Sequence, residues 1–243
     1  MRLRILSIVP LLALIFAACG GGSSNSSSTT SAPSTSTTSA STPGSAVRDA
    51  AADARAQKLV LVQADFPTGW TGTPAPATTP EEKAASQELN NCTGSSGDDA
   101  KIADVKGDNF SMGSPTTEVG SEAQIAKDEA TYLKDVAALK SSKFQPCLET
   151  FLTKALTQAA SGATPTNVQV SPLTVPKFGD VTVGVRMSAG LTVSGQTITL
   201  VIDAVAMGKS RAEVTGTFSN VSQPFDPALE NTLINKLGAK LEA

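Results

Sequence analysis

Residues 181 to 218 keep one period throughout. Val181, Val183, Val185, Met187, Ala189, Leu191 and Val193 alternate with other residues without a break. Ile198, Leu200, Ile202, Ala204 and Ala206 alternate again, followed by Ala212, Val214, Gly216 and Phe218. Period two puts successive side chains on opposite sides of an extended chain, so these are strands with one face toward a core. Ser194-Gly195 marks the first turn, and Gly208-Lys209 reads as a two-residue hairpin turn. The segment is therefore a three-stranded antiparallel meander. Val168 to Val175 adds a further strand, which Pro172 and Pro176 confine to an edge or to partial pairing.

Helix signals gather on either side. Val47 to Ala64 is Ala-rich and reads as a short helix running into Asp65-Phe66-Pro67-Thr68-Gly69-Trp70. Thr79-Pro80-Glu81-Glu82 supplies an N-cap, a first-turn proline and a capping-box glutamate, for a helix reaching Asn90. Residues 93 to 108 are rich in Gly, Ser and Asp and read as loop, and Phe110 and Met112 begin a short strand toward Val119. Ser121-Glu122-Ala123-Gln124 reads as a second capping box, with Ile125, Tyr132, Leu133, Val136 and Leu139 on one face of its helix. Another helix starts at Pro146, with Gly162 closing it. Asp226-Pro227 starts the last, with Leu229, Leu233, Ile234, Leu237 and Leu241 as its stripe. The expected fold is α+β: an antiparallel sheet, helices packed on one face, and one domain over residues 46–243.

The first 45 residues have a different character. Arg2 and Arg4 precede an uncharged stretch from Ile5 to Ala18, too short to span a bilayer as a helix. A basic start, an apolar middle and small residues at the exit make residues 1–18 a secretory signal peptide. Residues 23 to 45 hold 17 Ser or Thr and no charge, a composition with nothing to bury. Residues 19–45 read as a tether. Phe16-Ala17-Ala18-Cys19 resembles a bacterial lipobox, with Phe16 where Leu is usual. That resemblance implies cleavage before Cys19, acylation of Cys19, and attachment to the outer side of the cell membrane through the lipid. Loss of Arg2 and Arg4 leaves 17 basic against 22 acidic residues, so charge would not draw the domain to an anionic surface.

Cys92 and Cys147 are then the two remaining thiols. In an exported chain they read as a structural disulfide. The spacing fits neither a Cys-x-x-Cys redox pair nor a zinc site.

The chain has no histidine, which excludes Ser-His-Asp and Cys-His catalysis. No Ser-x-x-Lys occurs, and Glu81-Glu82 is explained by capping. Asp98, Asp99, Asp104 and Asp108 lack calcium-loop spacing. No basic run or aromatic platform suits nucleic acid. The expectation is a non-enzyme with no metal or cofactor. Asp65 and Trp70 have two readings: an aromatic floor with a carboxylate beside a ligand, or a turn cap and a core residue.

The leader, the tether, Asp65 to Trp70, Cys92, Cys147 and the closing meander with its helix together resemble an actinobacterial lipoprotein type. It is related in pattern to the extracellular sensor domain of the mycobacterial Ser/Thr kinase PknH. That domain type carries two disulfides around a cleft, and this chain has cysteines for one. The resemblance implies a related fold and an exported binding role, toward a small molecule or an envelope protein. The alternative is a carrier of lipids or other apolar molecules, which needs a large cavity.

Overall fold

The computed structural model describes residues 48–113, 117–159, 165–193 and 196–243. The expected signal peptide and tether, with Cys19, and the expected positions of the Gly162 helix end and the Ser194-Gly195 turn lie outside them.

Local chemistry starts each helix. Asp49 Oδ1 accepts from the Ala51 and Ala52 N–H groups to begin α1 (Ala50–Leu59). Thr79 and Glu82 close the expected capping box on α2 (Pro80–Thr93), which ends at Gly94 with φ 81°. Asp128 caps α3 (Glu129–Leu139), α4 runs Phe144–Ala159, and Asp226 caps α5 (Pro227–Glu242).

The strands are β1 (Thr71–Thr73), β2 (Lys101–Lys106), β3 (Asn109–Met112), β4 (Thr117–Ala126), β5 (Pro165–Leu173), β6 (Val181–Val193), β7 (Gln196–Lys209) and β8 (Ala212–Val221). They form one antiparallel sheet in the order β1-β3-β4-β8-β7-β6-β5, with β2 also paired to β4. The meander is as the period required, and β5 is its proline-bearing edge.

Four expectations are corrected. Ser121 to Gln124 is strand: Ser121 Oγ accepts the Leu61 N–H at 2.9 Å, and the helix cap is Asp128. Leu133 is consequently exposed, while Tyr132 and Val136 are buried. The stretch read as loop contains β2, ordered by pairing with β4. The hairpin turn is Ser210-Arg211, both at positive φ, because Gly208 is needed inside β7. A Cβ on Gly208 would lie 3.0 Å from the Tyr132 ring.

The fourth concerns the layers. The fold is α+β, but the helices cover both faces. Ile202 and Ala204 pack with α2 and α4, whereas Val205 and Met207 pack with α1 and α5. Strand alternation puts these pairs on opposite sides of β7. We call the α2–α4 side the first face and the α1–α5 side the second. Cys92 and Cys147 are disulfide-bonded, with Cα atoms 5.8 Å apart, joining α2 to α4 over the first face.

Candidate functional site

Neither sequence-nominated binding residue faces open space. Trp70 is 5% exposed and packs against Phe66 and Phe225 in the core of the second face. Its Nε1 is buried without a partner. The Asp65 carboxylate lies 2.7 Å from Lys240 Nζ and 3.6 Å from Lys236 Nζ, and it accepts the Val62 N–H. Partial burial would raise its pKa, but the Lys240 hydrogen bond, the Val62 N–H and both lysine charges together hold it below the ordinary value. The pair thus has structural partners: an indole in the core, and a carboxylate tying the 62–66 turn to α5. The ligand-facing reading of Asp65 and Trp70 gives way to the core and turn reading.

The chemistry that stands out lies on the first face, over β4 and β8. Register places Glu118, Gly120, Glu122 and Gln124 of β4 beside Ser219, Thr217, Thr215 and Glu213 of β8. Asp104 and Lys106 of β2 extend the same side opposite Gln124 and Glu122. These residues are largely shut from water: Glu122 is 8%, Gln124 7% and Glu213 8% exposed. Their pairing is incomplete. Gln124 Nε2 donates to Glu213 Oε2 at 2.9 Å, while Gln124 Oε1 and Glu213 Oε1 have no partner. Lys101 Nζ is also unpartnered, and the Glu122 and Asp104 carboxyls, unbonded when both are ionised, are within hydrogen-bond reach of each other when one keeps its proton. Leaving such groups buried and unbonded costs about 1–3 kcal/mol each, more for charges.

Burial foremost, then the Asp135 charge, pushes Glu213 up to about 7, against the opposing effects of Lys101 and the Gln124 hydrogen bond. Burial alone takes Glu118 to about 7. Burial, then the neighbouring Asp104 charge, holds Glu122 well above its ordinary range. Burial raises Asp104 as well, with Lys101 opposing it.

Two cavities open against this strip. The larger, about 50 Å³, has Gln124, Glu213 and Thr215 on its floor, Asp135 to one side, and Leu89, Ala138, Leu139 and Phe144 on its helical walls. Asp135 is positioned by the Ser96 N–H, 2.5 Å from its Oδ1. Thr93 and Ser95 bond to each other and to acceptors of α2. The smaller cavity, about 20 Å³, lies over Glu122, Lys106 and Thr217. Among the described residues no cluster of His, Cys, Asp and Glu has metal-site geometry. No described helix is long and apolar enough to cross a membrane.

The sequence pattern hides this site because Glu122 and Gln124 read as a helix start and Lys101 to Lys106 as loop. The available signal was period two: Val119, Ser121, Ala123 and Ile125 alternate with Glu118, Gly120, Glu122 and Gln124.

No family model and no curated protein matches the chain. One solved structure matches, described as LpqN involved in cell envelope biogenesis of Mycobacterium tuberculosis. The match covers 73% of this chain and 78% of that one, at 8% identity and a TM-score of 0.27. At that level the likeness carries no argument about fold or function. The resemblance to the PknH-type sensor domain stays one of motifs.

Proposed function

We propose that the chain is a lipid-anchored cell-envelope protein whose folded domain is a non-catalytic binding module, with the 50 Å³ cavity over β4 and β8 as its ligand site. One observation carries the reading: Gln124 and Glu213, each with a buried oxygen that has no partner, are among the residues lining a cavity with apolar walls. A ligand pocket combines an apolar lining with a few placed polar groups. The leader and Cys19 support attachment through lipid on the outer side of the membrane.

The volume favours a small polar ligand over the carrier alternative. About 50 Å³ holds a few waters or a small headgroup, whereas a lipid chain needs several times that. The absence of histidine supports a binding role over catalysis.

Three experiments test the proposal. Cys19→Ala should release the chain from washed membranes into the soluble fraction, and retention on the membrane contradicts the anchor. Filling the cavity with Ala138→Leu should abolish the thermal stabilisation that a small-molecule binder gives the full chain. Stabilisation that survives the filled cavity places the ligand elsewhere. Turnover by the purified chain in a hydrolase screen, lost on one Ser, Asp, Glu or Lys substitution, contradicts the non-catalytic reading.

A further inference from the structure

We propose that the cavity over β4 and β8 takes a primary alkylammonium group, its N–H donors held by Glu213 and Gln124 and its first methylenes against the walls from α2, α3 and α4. This rests on the reading of that cavity as the ligand site. It also fixes the class of ligand, through three features.

The buried floor atoms left without a partner are acceptors. Gln124 Oε1 and Glu213 Oε1 are unpartnered, and the Gln124 amide nitrogen is already directed at Glu213 Oε2. A ligand must therefore donate. Each of these side chains is more than nine-tenths buried and lines the cavity, so bulk water does not meet the need.

The charge in the strip is unbalanced. The carboxylates lining the cavity are Glu213 and Asp135, and Lys101 is the cation that acts on Glu213; further along the strip Asp104 and Glu122 face Lys101, Lys106 and Arg48. Lys106 Nζ donates to Thr78 Oγ1, and Lys101 Nζ is 4.0 Å from Asp98, outside the cavity. Neither bonds to a carboxylate of the four, and an added cation is compensated where an anion is repelled.

The third feature is the wall. Leu89, Ala138, Leu139 and Phe144 offer no polar partner, so a polyol would leave hydroxyls unbonded against them, whereas methylenes would not. Thr93 and Ser95 at the rim are engaged with each other and with Asn90.

Affinity should rise with pH. The groups facing Glu213 are Asp135 and Tyr132 from α3, Lys101 from β2 and Gln124 from β4. With Glu213 titrating at about 7, its ionised fraction climbs between pH 5.5 and 8.5, while an alkylammonium stays charged.

The test is an NMR titration of the full chain in detergent, at constant ionic strength, with n-butylammonium chloride, 1-butanol and sodium butyrate. The Gln124 side-chain amide and the Ser96 amide are the reporters. The expected result is saturable binding of butylammonium alone, about tenfold or more tighter at pH 8.5 than at pH 5.5. Glu213→Gln should weaken it about tenfold at pH 8.5 and flatten the pH dependence, and Ala138→Leu should abolish it. Ala138→Leu acts from a different element, and the meander amide spectrum reports folding of both variants. Butanol or butyrate binding as tightly as butylammonium, with the effect lost in Ala138→Leu, overturns the ammonium class and leaves the ligand site standing. No binding by any probe, or binding unchanged by Ala138→Leu, overturns both.

Discussion

The first face of the sheet is two surfaces in one. In a single cross-strand row, Met187 and Ile202 are followed by Ser219 and Glu118. In another, Val183 and Ala206 are followed by Thr215, Glu122 and Lys106. The strip over β6 and β7 is filled by Leu148, Phe151 and Leu152 of α4 and cross-linked through Cys92 and Cys147. The strip over β4 and β8 is buried at Glu122, Gln124 and Glu213 and half-buried at Glu118 and Thr215, and it carries carboxylates, an amide and cavities. Close packing of apolar atoms stabilises the first strip, while unpaired polar atoms cost stability in the second. Carboxylates in the rest of the protein show what pairing looks like. Asp203, fully buried, takes two 2.6 Å hydrogen bonds from Arg186, and Asp65 is clasped by Lys240. Glu230 is the exception on the second face, with Oε1 unbonded, but its one buried oxygen adjoins no described cavity.

The largest effects should come from the filled regions. Replacing Cys92 and Cys147 together by Ala opens a 55-residue loop and should cost about 4 kcal/mol in urea unfolding of the full chain. A loss below about 1 kcal/mol would show that the apolar strip holds without its cross-link. Trp70→Ala should cost about 4 kcal/mol and leave ligand affinity unchanged, as expected of a core indole. A stable variant with lost binding would restore Trp70 to a ligand role.

On the polar strip the sign reverses. Glu213 has a raised folded-state pKa, so the folded protein binds its proton more tightly than the unfolded chain does. Its destabilising contribution is absent below about 4.5, grows with pH, and is complete above about 7. Glu213→Gln should therefore be more stable than the parent at pH 8, by about 3 kcal/mol at most, and should lose stability less steeply between pH 4.5 and 7. Glu118 and Glu230 titrate in the same window with the same sign, so a shallower slope remains. A variant less stable than the parent at pH 8 would mean that Glu213 is paired in solution.

The smallest effect belongs to Asp65. Its pKa is lowered, so its contribution is present above the ordinary carboxylate value and lost as pH falls through the folded value. Asp65→Asn should cost about 1 kcal/mol or less at neutral pH, since both lysine partners are partly exposed and screened.

What the sequence disclosed follows from how one-sided each signal is. The β6–β8 meander was readable because apolar residues alternate over three long runs. The α2 start was readable because Thr79, Pro80 and Glu82 each serve one function there, and the structure shows all three. The polar strip was not, for a physical reason. β4 is buried on both faces, yet one of them is acidic, so its burial leaves no hydrophobic run. Ser-Glu-Ala-Gln then mimics a helix start, although the Ser121 hydroxyl is used by the Leu61 N–H sixty residues away. The hairpin turn was displaced for a similar reason, because Gly208 is fixed by the Tyr132 ring above it rather than by turn geometry.

The central claim is that the polar strip, and not the filled one, receives a ligand. Native mass spectrometry of the full chain extracted from its own envelope tests it most directly, comparing the parent with Ala138→Leu. The account predicts a small added mass on the parent that is missing from the filled variant. The same added mass on both proteins would contradict it.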